Sequence, residues 1–362
     1  MNRQVLLFLP CLAFTFCIKA QDTTAITATP ALEVAGVKIT GSADVYYRYN
    51  FSNPKSGGLD NYTSFTNSQN DFELGMASLQ ASHSFGKASA FVDLGFGRRA
   101  EEFNYPDGER NGKNGFVTLA AVKQLNISYA VSDKFKLTAG KWATHIGYEL
   151  VDAYLNRNYS MSYMFSYGPF SHTGLKADIG LGSKSALMFG VGNTTDNATS
   201  LSSRKYALAQ FSTATKDDKL KAYFNYQGTY GGSANLTQFD VVLNIAASDK
   251  FGIGYNGTVQ SVKPDGSDGN AWWGSAIYLN YDPESNFGIT LRGEYFDNKK
   301  QVVSAPGTSI FDLTLSPNFK VGNLTFIPEL RLDAAKDNVF EKHDGTNTKS
   351  TVTGLLAATY HF

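Results

Sequence analysis

Apolar and polar residues alternate with a period of two along nearly the whole of this chain, and that pattern limits its fold more than any other feature of the sequence. From Val37 to Asn50, Val37, Ile39, Ala43, Val45, Tyr47 and Tyr49 fall on one face, with Lys38, Thr40, Ser42, Asp44, Arg48 and Asn50 on the other. Leu220, Ala222, Phe224 and Tyr226 against Lys221, Tyr223, Asn225 and Gln227 repeat the pattern within 218–231. So do Phe287, Ile289, Leu291 and Tyr295 against Thr290, Arg292 and Glu294 within 286–297. Further segments lie at 72–85, 87–99, 117–131, 133–143, 170–182, 184–195, 203–214, 237–248, 250–262, 271–282, 308–319, 322–333 and 350–362, which brings the count to sixteen. Segments 72–85 and 203–214 alternate poorly.

One such strand suits a soluble sandwich as well as a membrane barrel. The connections decide between them. Short turns at Phe85 to Lys87, Ser132-Asp133, Gly182-Ser183, Thr215 to Asp218, Ser248-Asp249, Pro283 to Ser285 and Lys320 to Gly322 alternate with long loops. The loops lie at roughly 51–71, 100–116, 144–169, 196–202, 232–236, 263–270, 298–307 and 334–349. Seven turns and eight loops are what a sixteen-stranded up-and-down barrel needs when both ends of the chain lie on the periplasmic side. The expected fold is an all-β, antiparallel transmembrane β-barrel over residues 37–362, surrounded by outer-membrane lipids. A mean hydropathy of −0.24 fits, since only alternate residues of a barrel face lipid.

Ahead of the barrel, Arg3 precedes an apolar run from Val5 to Ile18, and Ala20 offers a small residue before a cut. Residues 1–20 are expected to be a secretory signal peptide, and 21–36 a short periplasmic tail with no room for a plug domain. The apolar run falls short of the roughly 20 residues of a membrane helix and contains Pro10. Cys11 and Cys17 both lie within it, so export leaves no thiol for a disulfide, zinc or nucleophilic attack. The 32 basic and 32 acidic residues balance, and no basic footprint makes nucleic acid a partner.

Two resemblances carry further expectations. The last strand puts Val352, Leu356, Ala358, Tyr360 and Phe362 on one face and ends on the aromatic residue. It resembles the C-terminal assembly signal of bacterial outer-membrane proteins, which implies that Tyr360 and Phe362 are read by the barrel-assembly machinery. From Leu137 to Ile179 the pieces are Ala139-Gly140-Lys141, Ile146 to Glu149, an Asn/Tyr/Ser-rich stretch from Asn156 to Tyr163, and Pro169 to Gly174. With the opening Gly41 to Pro54, this resembles the OmpL-like β-barrel porins common in Bacteroidetes and relatives. The resemblance implies an outer-membrane porin for small hydrophilic solutes, without a catalytic residue or a cofactor.

A barrel of 16 to 18 strands leaves an aqueous lumen. Loop 144–169 is the third external loop, and in general porins the third loop folds inward; by that resemblance Glu149, Asp152 and Arg157 are expected at a constriction, setting a transverse field. Lys38, Asp44, Arg48, Arg292, Glu294, Glu329 and Arg331 are expected to face the lumen, because a midplane Arg in lipid costs about 2–4 kcal/mol. Their mixed signs predict weak ion selectivity. Among His83, His145, His172, His343 and His361, only His145 and His172 with Glu149 approach a metal set, and nothing fixes their geometry, so no metal site is expected. Gly95 to Arg99 and Gly252 to Gly257 read as strand glycines. Tyr47, Tyr49, Phe51, Phe135, Tyr226, Trp272, Trp273 and Tyr281 read as interfacial girdles. The alternative function is a non-conducting outer-membrane barrel serving as an adhesin or as a subunit of a complex, and the sequence is silent on homo-oligomer formation.

Overall fold

The structure, a computed structural model, describes residues 32–55, 60–109, 117–200 and 202–362. The expected signal peptide, residues 1–20, and most of the expected tail lie outside the described residues. Of that tail, Leu32–Val34 is described, and it pairs back on Val37 to Ile39.

Sixteen strands form the barrel: β1 Val37–Asn50, β2 Asp71–Phe85, β3 Ala88–Phe96, β4 Val122–Ser132, β5 Phe135–Ala143, β6 Ser171–Gly180, β7 Ser185–Gly192 and β8 Tyr206–Ala214. They continue with β9 Leu220–Thr229, β10 Ala234–Ala246, β11 Phe251–Pro264, β12 Asn270–Glu284, β13 Phe287–Asp297, β14 Ser309–Val321, β15 Leu324–Ala335 and β16 Ser350–His361. Each pairs antiparallel with the next, and β16 pairs with β1 from Thr353 opposite Asn50 to His361 opposite Ser42, which closes the sheet. Closure removes the free edges that would be unsatisfied in lipid. Seven short turns alternate with the eight connections at the other end of the barrel; six of these eight are longer than any turn, whereas 230–233 and 265–269 are as short as the longest turns.

Alternation sorts the side chains. On β12, Trp273, Ile277, Leu279 and Tyr281 are exposed on the outer surface, whereas Trp272, Ala276 and Tyr278 are buried inside. This corrects one expectation. Neighbouring residues of a strand point to opposite faces, so Trp272 and Trp273 cannot both belong to a girdle. Trp272 is fully buried in the lumen and donates its indole N–H to Gln260 at 3.1 Å.

Both poorly patterned segments have physical causes. In β2 the register with β1 slips between Asp44 and Val45, so Gly75 is an extra residue and the phase reverses there. Phe72 and Leu74 face out before the bulge, Leu79 after it, and Met76 is buried. In β8 the inward residues Tyr206 and Leu208 are themselves apolar and pack on Trp142 and Met188, so polarity no longer marks the lumen. A second correction falls at 95–99. Strand β3 ends at Phe96, Gly97 turns the chain at φ 112°, and Arg98–Phe103 is a short helix within the loop that follows. Gly252 to Gly257 does lie in β11.

The chain end completes the seam. Gly41 N–H donates to the Phe362 carbonyl at 3.0 Å and Phe362 N–H returns the bond at 2.9 Å. The Phe362 ring occupies the space that a side chain at position 41 would take.

Ile277 sits mid-strand on the outer face, opposite Tyr255 and Gly293. Ile277→Arg is expected to destabilise the folded barrel by about 2–4 kcal/mol in a lipid bilayer, as read from denaturant midpoints of refolded protein.

Candidate functional site

Residues 144–170 join β5 to β6 and do not stay outside. They pass through the lumen, where Tyr159, Met161 and Tyr163 have no solvent exposure. A buried loop carries backbone N–H and C=O groups that need partners. Two short turns supply a few from within: Ala153–Leu155, where the Leu155 N–H donates to the Asp152 carbonyl at 3.0 Å, and the turn of helix Tyr163–Tyr167, started by Ser162, whose hydroxyl accepts the Phe165 N–H at 3.1 Å.

Charged side chains of the wall supply much of the rest. Glu329 on β15 accepts the Tyr159 and Ser160 N–H groups at 2.7 and 3.1 Å. Glu294 on β13 accepts those of Tyr163 and Met164 at 2.7 and 2.8 Å. Asp196, in the loop after β7, accepts those of Phe170 and Ser171 at 2.6 and 2.8 Å. Each is one carboxylate against two successive amides, an arrangement in which both N–H dipoles converge on the charge. Carbonyls are met in the same way: Arg292 donates to Ser160 and Arg331 to Met161, both at 2.7 Å.

Side chains of the loop then reach across. Glu149 pairs with Arg292 at 2.7 Å, and Arg292 with Asp312 at 2.8 Å. Asp152 pairs at 2.6 Å with Lys123, itself 3.0 Å from Asp93. Arg157 pairs with Asp282 at 2.5 Å, low on β12 near the short turns. Tyr159 donates to Asp44 at 2.6 Å and Tyr163 to Asp333 at 3.0 Å. Wall glycines make room: a Cβ at Gly254 would strike the Tyr148 ring, and one at Gly274 would strike Met164.

Glu149, Asp152 and Arg157 therefore stand at three separate places, each against a wall partner of opposite sign. Asp44, Arg292, Glu294, Glu329 and Arg331 gather on the loop. Arg48 is buried higher up, paired with Asp60 of the first loop, and Lys38 is exposed beyond the loop at the short-turn end. Sequence reasoning missed Lys123, Asp196, Asp240, Asp312 and Asp333. Asp240, which accepts the Gly147 N–H at 3.0 Å, shares the inward phase of Gln238 and Asn244, the signal that could have found it. The His145 and His172 rings lie 5.2 Å apart, but Glu149 is engaged with Arg292, and among the described residues no three His, Cys, Asp or Glu groups converge as metal ligands.

The family profile described as "Putative beta-barrel porin-2, OmpL-like" matches residues 36–362. The chain belongs to this family. The porin's fold also matches solved outer-membrane proteins. The outer membrane channel DcaP of Acinetobacter baumannii is 12% identical with a TM-score of 0.61, over 92% of this chain and 100% of that one. An anion-selective porin from Comamonas acidovorans is 11% identical at 0.59, over 90% and 99%. OmpT of Vibrio cholerae is 12% identical at 0.56, over 92% and 100%. No curated protein matches the sequence. The porin is thus an outer-membrane β-barrel, and its family and fold are those of channels rather than enzymes.

Two loop groups of this porin titrate abnormally. Burial pushes Asp196 up from 3.8 to about 7, despite its two amide donors and nearby Lys141; Asp107 adds to the rise. Burial pushes His145 down from 6.5 to about 4. Between pH 3.8 and about 7 the folded chain keeps a proton on Asp196 that the unfolded chain releases, so this group's contribution to stability falls as pH rises. His145 acts oppositely, its contribution being lost as pH falls from 6.5 towards 4. Asp196→Asn keeps the acceptor oxygen and cannot ionise. It is expected to remove the loss on the alkaline side while leaving the acid-side loss, in thermal unfolding scans across this pH range.

Proposed function

We propose that the porin passes small hydrophilic solutes passively through the part of the lumen that loop 144–170 leaves unfilled, with weak preference between cations and anions. The observation that carries this reading is the pairing of loop and wall: Glu149 with Arg292, Asp152 with Lys123, and Arg157 with Asp282. Paired charges present little net field to a passing ion, and they fix the loop as a constriction. In this reading Tyr360 and Phe362 serve the barrel-assembly machinery, and no residue has a catalytic role. OmpT of Vibrio cholerae has also been solved in a trimer form, and we propose that this chain likewise forms a homo-oligomer in the membrane.

The non-conducting alternative, an adhesin or complex subunit, is favoured by one observation: the loop reaches from the long-loop end down to Asp282 and His361, against which Tyr154 stacks at 5.0 Å. Liposome swelling with sugars of graded size separates the two readings. Swelling that falls with sugar mass supports the channel, and none with the smallest sugar supports the alternative. Replacing Glu149 and Asp152 by Ala leaves Arg292 and Lys123 without these partners. The double variant is expected to conduct several-fold better and to favour anions in planar-bilayer recordings, whereas unchanged conductance and reversal potential would remove the loop from the conduction path.

A further inference from the structure

Between loop 144–170 and the wall of β5 to β10 a cavity of about 100 Å³ remains. Phe165, Phe170 and Met188 give it an apolar side. Three polar atoms of its lining residues, Trp142 Nε1, His145 Nδ1 and Gln210 Oε1, are buried without a hydrogen-bond partner among the described residues. Trp142 and Gln210 are only 5% and 4% exposed. Buried polar atoms in native proteins are nearly always paired, so three orphans around one space imply a guest. What each orphan needs follows from its neighbours. The Trp142 indole can only donate. Asp240 receives the Asn225 amide N–H at 2.7 Å, which turns the Asn225 oxygen towards the Gln210 amide N–H, also at 2.7 Å, and leaves Gln210 Oε1 as an acceptor. Burial keeps the His145 ring neutral above about pH 4. A neutral imidazole has one N–H, which the Tyr226 carbonyl claims at Nε2 (3.1 Å), so Nδ1 is an acceptor as well. Both charged side chains of the lining are already paired, Glu149 with Arg292 at 2.7 Å and Lys176 with Asp178 at 3.5 Å.

We infer that this cavity is a binding site for a small neutral primary carboxamide. Its carbonyl would accept the Trp142 N–H, and its two N–H groups would meet Gln210 Oε1 and His145 Nδ1, one hydrogen bond for each orphan. Its alkyl end would lie against Phe165, Phe170 and Met188. An anion would leave Gln210 Oε1 and His145 Nδ1 facing another acceptor, and an ammonium would leave the Trp142 N–H without one. Water alone fits less well: about 100 Å³ is the share of roughly three molecules, each wanting about three hydrogen bonds, against three orphans and a wall of carbon. A cavity of about 150 Å³ accommodates the six carbons of benzene, so about 100 Å³ suits four or five heavy atoms, the size of propionamide. As a binding site this cavity does not depend on the porin reading.

Saturation-transfer NMR titration of the folded, detergent-solubilised protein tests this with propionamide, butanone and propionate. Butanone has the same shape and carbonyl but no N–H, and propionate has the same shape with a charge and no N–H. Propionamide is expected to bind at least about tenfold tighter than either. Gln210→Met is expected to bring propionamide down about tenfold, to the level of butanone, and Trp142→Phe to weaken both alike. Met188→Trp, which fills the cavity, is expected to abolish binding. Reduced mobility change on boiling identifies any variant that has not folded, and the ranking of the three ligands on the unaltered protein stands without them. Propionamide no tighter than butanone, no tighter than propionate, or unaffected by Met188→Trp in folded protein overturns the proposal and leaves a cavity filled by water. Sugar-driven swelling without propionamide preference rejects the site and keeps the porin, while propionamide preference without swelling does the reverse.

Discussion

A carboxylate held by two successive backbone amides is the interaction on which the interior of this barrel depends. Glu329, Glu294 and Asp196 each make it, at three points along one loop. The reason is desolvation. An irregular segment brought inside a barrel loses water at every peptide group, and each unpaired N–H or C=O would cost about 1–3 kcal/mol. A formal charge is the strongest acceptor a side chain can offer, and one carboxylate has room for two donors. The wall arginines answer the carbonyls in the same way. The charges would themselves be costly to bury alone, so loop and wall neutralise one another's liabilities.

This explains why the inner surface is so charged without being an open charged pore. Arg292 touches Glu149, Asp312, the Ser160 carbonyl and Thr314 at once. Such a residue is a structural hub as much as a lining group. The hub occupies the side of the lumen lined by β13 to β15, while Lys141, Lys176 and Asp240 stand on the opposite wall, on β5, β6 and β10.

The barrel was legible because its rule is local: side chains alternate, turns are short and loops are long, and each strand states its own two faces. Where the rule failed, something non-local had intervened. Gly75 looks like a flaw in a strand until Asp44 and the Tyr159 hydroxyl are seen to need its missing side chain. Tyr206 and Leu208 look outward-facing until Trp142 and Met188 are seen across from them. The inward phase of Glu294 and Glu329 could be read from their strands, but their partners could not. A backbone N–H has no residue type, so nothing in the letters at 159, 160, 163 or 164 announces a carboxylate opposite. The short helix after Gly97 was hidden for a related reason, its glycine serving equally well in a strand or at a turn.

The separations along the chain between the loop and its anchors bear on how the molecule is assembled. Ser160 meets Glu329 across 169 residues, and Tyr163 meets Glu294 across 131. The loop emerges between β5 and β6, long before β13 and β15 exist, while its connections to those strands span the lumen that the β1–β16 seam finally encloses. Contacts of such range form late, because chain closure must come before they stabilise anything. Filling the interior therefore depends on the last third of the chain, whose strands carry the carboxylates that the loop amides need.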